Sequence, residues 1–249
     1  MKRLIKFGLK PWYRKYTALV ARISNLETAI DCLIDSPRWT PSDAVGFNGQ
    51  RHRKLIFHEL LNAFNFEAIL ETGTWIGNTT GYMATESALP VHTCEINPRF
   101  HTLARMRLQG MARIDFTLAD SRSFLQTISR TDVAAKRVFV YLDAHWYDDL
   151  PLREEIEIIS GAWQEYVIMV DDFEVPSDSG YGYDRYEKHN VLSMEFFADT
   201  FARCGLIPFF PSLPSAEETG ARRGCVVLAG GGRAAEVLGG LASLVRKPS

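Results

Sequence analysis

Five carboxylates recur along the middle of the chain with a regular stride. Glu71, Glu95, Asp120, Asp143 and Asp171 are spaced 24, 25, 23 and 28 residues apart, and each follows a short apolar or β-branched run. One strand with its returning helix occupies a stretch of that order. In open α/β sheets the carboxyl ends of parallel strands form the ligand crevice, so the five side chains are expected along one edge. The fourth acid opens "DAH", placing His145 two residues beyond Asp143, and the fifth is doubled as Asp171-Asp172. Carboxylates grouped at one edge can accept hydrogen bonds from hydroxyls. A histidine beside them adds a group whose ordinary pKa lies near neutrality, suited to accepting a proton. Plainer roles stay open: His145 can cap a helix, and the acid pair can serve a turn.

The elements that must position these residues follow from the patterning. Short apolar runs at 68–70, 91–94, 115–118, 138–142 and 166–170 alternate with helix-like segments near 78–87, 98–109, 121–129 and 151–160. That alternation predicts a parallel, doubly wound α/β sheet. A further helix near 191–203, strands at 206–210 and 224–228, and a surface helix over 233–246 complete the expectation of seven strands. "FNGQRHRKLIFHELLNAF" (47–64) predicts a helix with Ile56, Leu60, Leu61 and Phe64 toward the core, and with Gln50, Arg51 and His52 over the ligand pocket.

"ILETGTWIGNTT" (69–80) puts Gly73 and Gly77 between the first strand and its helix, where backbone approaches closely and helix N–H groups are free. It is neither G-x-G-x-x-G nor a P-loop. Glu95 closes the next strand, where a ribose-binding carboxylate belongs, and Asp120-Ser121 closes the third, able to meet an exocyclic amine. Together they describe an adenosine-shaped slot.

On these residues the chain resembles the class I S-adenosylmethionine-dependent methyltransferases, over roughly residues 50–230. Their first motif, an acid followed by x-G-x-x-x-G, is matched by Glu71, Gly73 and Gly77, with Thr74 inside it; Glu95 matches their ribose acid and Asp120 their adenine-edge acid, with Ser121 adjoining. "LDAHW" followed by "VIMVDDF" is similar to the metal-dependent sugar and small-molecule O-methyltransferases. The resemblance implies a Rossmann-like fold with an antiparallel last strand and S-adenosylmethionine as cofactor. It also implies Mg²⁺ (or Mn²⁺) held by Asp143, Asp171 and Asp172, and His145 as the base that accepts a hydroxyl proton. The expected acceptor is a small molecule or glycan. The competing classes are an NAD-dependent oxidoreductase, which the absent dinucleotide fingerprint disfavours, and a non-catalytic dimeric scaffold with a vestigial pocket.

Residues 1–45 have a separate character and are expected to form a helical extension to a domain spanning 46–249. Trp12, Tyr16, Leu19, Ile23, Leu26, Ile30 and Leu33 follow a 4-3 spacing, the seam of a short coiled coil, so a homodimer is expected alongside the alternative of packing within one chain. Residues 1–22 carry seven basic groups and no acid, although the whole chain has a net charge of −2. The acidic remainder argues against a nucleic-acid surface. The basic start could touch an anionic membrane, or simply be a solvated helix start. No apolar run nears the ~20 residues of a membrane span. Four scattered cysteines give neither a disulfide framework nor a zinc spacing, so a cytoplasmic protein is expected.

Overall fold

The structure, a computed structural model, describes residues 13, 15–28, 46–145, 149–186, 190–230 and 232–246. The chain divides into two units, 1–40 and 41–249.

In the first unit, residues 15–28 form helix α1. Its seam residues Tyr16, Leu19, Ile23 and Leu26 are all exposed. Trp12, Ile30 and Leu33 lie outside the described residues, as does the expected helix stop at Ser36-Pro37.

The second unit is built on one eight-stranded sheet. Its strands are β1 (Ala68–Thr72), β2 (Val91–Glu95), β3 (Ile114–Leu118), β4 (Val138–Leu142), β5 (Tyr166–Asp171), β8 (Leu206–Pro211), β9 (Cys225–Gly230) and β10 (Leu244–Arg246). Between β5 and β8 the chain inserts a separate two-stranded hairpin, β6 (Arg185–Tyr186) with β7 (Asn190–Val191). The sheet order is β10-β8-β9-β5-β4-β1-β2-β3. The first five strands pair in parallel, whereas β9 runs antiparallel between β5 and β8. The expected seven strands are present, and β10 is an eighth. The expected helix over 233–246 instead ends at Gly239-Gly240, and Leu244 and Val245 add an antiparallel edge.

Helices α2 (Arg51–Ala63), α3 (Asn78–Ser87), α4 (Pro98–Arg107), α5 (Ser121–Ile128), α6 (Leu152–Ala162), α7 (Met194–Arg203) and α8 (Gly232–Gly239) flank the sheet. Strand periodicity sends alternate side chains to opposite faces. Val138, Val140 and Leu142 of β4 join Ile168 and Val170 in a core closed by Phe124, Ile156, Phe197 and Phe201 of α5, α6 and α7. Phe139 and Tyr141 join Val167 and Met169 in a second core closed by Ile56, Phe57 and Leu60 of α2, with Met83 and Leu238. Both faces being covered explains why the central strands read as unbroken apolar runs. Among the described residues no helix is long and apolar enough to cross a membrane.

Candidate active site

Three of the five strand-end acids, Glu95, Asp120 and Asp143, line one cavity of about 820 Å³ at the carboxyl edge of the sheet. Of the residues expected there, Gly73, Glu95, Asp120, Ser121, Asp143, His145 and Asp172 line it; Glu71, Thr74, Gly77 and Asp171 do not.

The β1–α3 turn forms the floor. Gly73 has φ +86°, and a Cβ there would lie 2.3 Å from the Asp143 carbonyl oxygen. Glycine therefore lets the end of β4 pass against the end of β1. Gly77, at φ +80°, starts α3 against Leu108. Trp75 between them adopts φ +46° while remaining 44% exposed. Non-glycine residues in this region cost on the order of 1–2 kcal/mol, and such outliers cluster at binding sites.

Glu95 ties two turns together. Its Oε2 accepts from the Trp75 N–H at 2.8 Å and its Oε1 from the Asn97 N–H at 2.7 Å. Each oxygen keeps a lone pair for a further donor, which suits a vicinal diol. Ile96, 65% exposed, and Phe100, edge-on to Trp75 at 6.2 Å, give that end an apolar surface. Asp120 caps α5, accepting from Arg122 N–H at 3.0 Å, and its carboxylate also takes the Arg122 guanidinium, which holds its pKa below the usual range. Arg122 reaches on to Asp149 at 2.7 Å, bracing the chain beyond β4.

Glu71 stands behind the wall. It is buried, and its Oε2 accepts from the Thr80 and Thr93 hydroxyls, so it fixes α3 against β2 rather than facing the cavity. Thr74 shares a hydrogen bond with Thr93 in the same layer. Burial raises the Glu71 pKa from 4.5 to about 7, against the lowering effect of the two hydroxyls. Because the folded pKa lies above the unfolded one, the folded chain binds this proton more tightly. Its contribution, about 3 kcal/mol, is fully present below pH 4.5 and is lost as pH rises to about 7. Chemical denaturation of wild type and Glu71→Gln across pH 4.5–7.5 should show a decline steeper in the wild type by about 3 kcal/mol.

The other half of the cavity is a carboxylate cluster around His145. Its Nε2 lies 3.9 Å from Asp143 Oδ1, 3.8 Å from Asp172 Oδ2 and 3.8 Å from Asp184 Oδ2. The imidazole is buried, and this nitrogen has no hydrogen-bond partner among the described residues. Asp143, His145 and Asp172 present donor atoms all within 4.8 Å of one another. Burial, then Asp171 and Asp172, push the Asp143 pKa well above the usual carboxylate range. Asp172, at φ +53°, turns out of β5 toward the cavity.

Asp171 stands outside this cluster, apart from the ligand set expected of it. It follows Met169 on the α2 face of β5, where the buried Arg53 guanidinium and the Tyr141 hydroxyl both donate to its carboxylate. Burial opposes its charge, but Arg53 and Tyr141 together hold its pKa below the ordinary value. Arg53 also donates to the carbonyls of Arg223 at 2.7 Å and Gly224 at 2.8 Å, so the pair locks β5 to the start of β9. Gln50 and His52 do not line the cavity either. Gln50 clamps the Arg223 backbone in both directions, and the His52 N–H donates to Glu218; Asn48 is the cavity residue of that segment.

Two contributors carried no periodic signal. Asp184 and Tyr186 come from the insertion, whose backbone is pinned by Asp184 N–H to the Asp172 carbonyl at 2.9 Å and Gly182 N–H to the Arg222 carbonyl at 2.9 Å. Tyr186 donates to Asp184 and is 3.1 Å from the His145 carbonyl. Arg223 pairs with Asp172 Oδ1 at 2.6 Å and with Asp184 Oδ1.

No protein-family model and no curated protein matches this sequence. Solved structures do match its fold. The O-methyltransferase TomG of Streptomyces achromogenes, solved with S-adenosylmethionine, is 19% identical at a TM-score of 0.53, covering 72% of this chain and 79% of that one. An O-methyltransferase of Bacillus cereus, solved with S-adenosylhomocysteine, is 17% identical at a TM-score of 0.53, covering 83% and 90%. The chain thus has the Rossmann-like fold of the class I methyltransferases.

Proposed function

We propose that this protein is an S-adenosylmethionine-dependent O-methyltransferase that uses a divalent cation to bind and activate a hydroxyl of a sugar or other small molecule. The observation that carries the reading is one cavity with two different halves. Glu95, braced by the Trp75 and Asn97 amides beside Ile96 and Phe100, makes a slot for an adenosine; a carboxylate cluster stands at the other end. The fold shared with two cofactor-bound methyltransferases supports it. The antiparallel β9 between β5 and β8, with no G-x-G-x-x-G turn after β1, speaks against the dinucleotide oxidoreductase.

In the proposed reaction the acceptor oxygen forms a bond to the methyl carbon as the carbon–sulfur bond breaks. The electron pair returns to sulfur, leaving S-adenosylhomocysteine, and the hydroxyl proton leaves to water. The residues fit a cation: Asp143 and Asp172 offer carboxylate oxygens, and the buried Nε2 of His145 has no hydrogen-bond partner among the described residues. A bound cation would lower the hydroxyl pKa and fix its direction. This chain's part is to hold both substrates in line, which alone can supply several kcal/mol of the barrier reduction. The reading includes a homodimer paired through the exposed α1 seam.

Glu95→Ala tests the slot. Quenching of intrinsic tryptophan fluorescence should report S-adenosylmethionine affinity weakened by about 10- to 100-fold, as expected for losing charge-assisted hydrogen bonds to a diol. Unchanged affinity in a folded Glu95→Ala protein would remove the assignment.

A further inference from the structure

We infer that His145 is a metal ligand rather than the proton acceptor, and that Asp143, His145 and Asp172 form a site selective for a first-row transition ion such as Mn²⁺, Fe²⁺ or Co²⁺ over Mg²⁺. The inference deepens the cation-assisted reading and rests on it.

A general base needs an open lone pair facing the substrate hydroxyl. The Nε2 of His145 instead points into the middle of three carboxylates, buried and unpartnered, with its neighbours at 3.8 to 3.9 Å. Those separations are too long for hydrogen bonds. They are close to what a shared ion requires, since ligands bonded at 2.0–2.2 Å stand about 3–4 Å apart. A buried nitrogen facing carboxylate oxygens of Asp143 and Asp172 at these separations is a donor set that a shared cation would satisfy.

Arg223 shapes the set without filling it. It takes the Oδ1 atoms of Asp172 and Asp184, leaving both Oδ2 atoms toward His145. Its backbone is held in turn by Gln50 and Arg53, so the guanidinium is anchored from α2. The charges then balance for a divalent ion: Asp143, Asp172 and Asp184 give three negative charges, Arg223 one positive. Asp184 stands next to the three mutually close ligands, positioned by Tyr186.

The donor chemistry selects the metal. Mg²⁺ takes oxygen ligands and keeps much of its water, whereas an imidazole nitrogen among carboxylates suits the transition ions, with affinity rising from Mn²⁺ toward Co²⁺.

The test uses the full chain stripped with EDTA and titrated calorimetrically with Mg²⁺, Mn²⁺ and Co²⁺, followed by pulsed electron paramagnetic resonance of the Mn²⁺-loaded protein. We expect Co²⁺ to bind at least about a hundredfold more tightly than Mg²⁺. We also expect an imidazole ¹⁴N coupling that disappears in His145→Asn and persists in Asp184→Asn. The wild-type spectrum needs no variant, so a His145→Asn protein that fails to fold leaves the test intact. Equal affinity for Mg²⁺ and Co²⁺, Mn²⁺ bound without nitrogen coupling, coupling that survives in His145→Asn, or no metal binding at all would each overturn the inference. Titration with S-adenosylmethionine in EDTA reports separately on the methyltransferase reading, which can stand when the metal assignment falls.

Discussion

Asp143→Asn should bind S-adenosylmethionine within about twofold of wild type and lose methyl transfer by at least about a thousandfold, the scale of removing a charge aimed at the reacting centre. The reason is division of labour within one cavity. Glu95, Trp75 and Asn97 hold one end through β1 and β2, whereas Asp143 enters from β4 beside His145. The substitution keeps the side chain's shape and removes its charge. The uncharged Asn also relieves repulsion from Asp171 and Asp172, so the fold should be at least as stable. Cofactor affinity and single-turnover rate, measured on the same preparation, separate binding from chemistry. Parallel loss of both would mean that Asp143 acts on the cofactor.

Arg53→Met carries the largest expected cost in stability. Arg53 and Asp171 are both about 1% exposed, and Tyr141 also donates to this carboxylate. Removing the guanidinium strands a buried charge and leaves the Arg223 and Gly224 carbonyls short of a donor. The expected loss is about 3–5 kcal/mol, or a fall in melting temperature of about 10 °C for a unit of this size. Adding Asp171→Leu to Arg53→Met should recover much of the loss, because an apolar pair replaces an ion pair. Asp171→Ala alone should also lose activity, but through instability. A double-mutant cycle by chemical denaturation checks this, and additive losses would contradict the pairing.

The contrast between Asp171 and Asp172 shows where sequence reasoning succeeded and where it stopped. The stride of the acids was legible because one strand and one helix repeat at nearly constant length, and it led to the cavity edge. Adjacent residues of an extended strand face opposite ways, so two consecutive acids leaving β5 could not be assumed to share a site. Asp171 continues the face of Val167 and Met169, toward α2, and a buried arginine on α2 is invisible in an amphipathic pattern that expects apolar residues there. Glu71 is a related case: it marks the motif, yet its carboxylate is engaged by Thr80 and Thr93 behind the wall.

Asp184 and Arg223 sit in long connections, where nothing in the spacing ties them to Asp172 or to each other. Arg223 lies 51 residues from Asp172 and 39 from Asp184 in sequence, and the bridge between Gly182 and Arg223 is too short to leave a periodic trace. The β6–β7 hairpin is equally brief, with two residues in each strand. By contrast, β4 and β5 were plain in the sequence, since apolar side chains on both faces must be covered by helices.

The most direct test of the central claim is calorimetric titration of the purified full chain with S-adenosylmethionine, first in EDTA and then with Mn²⁺ present. The account predicts one site per chain with a dissociation constant on the order of micromolar in both conditions. No binding heat in either condition, from protein shown to be folded, would contradict it.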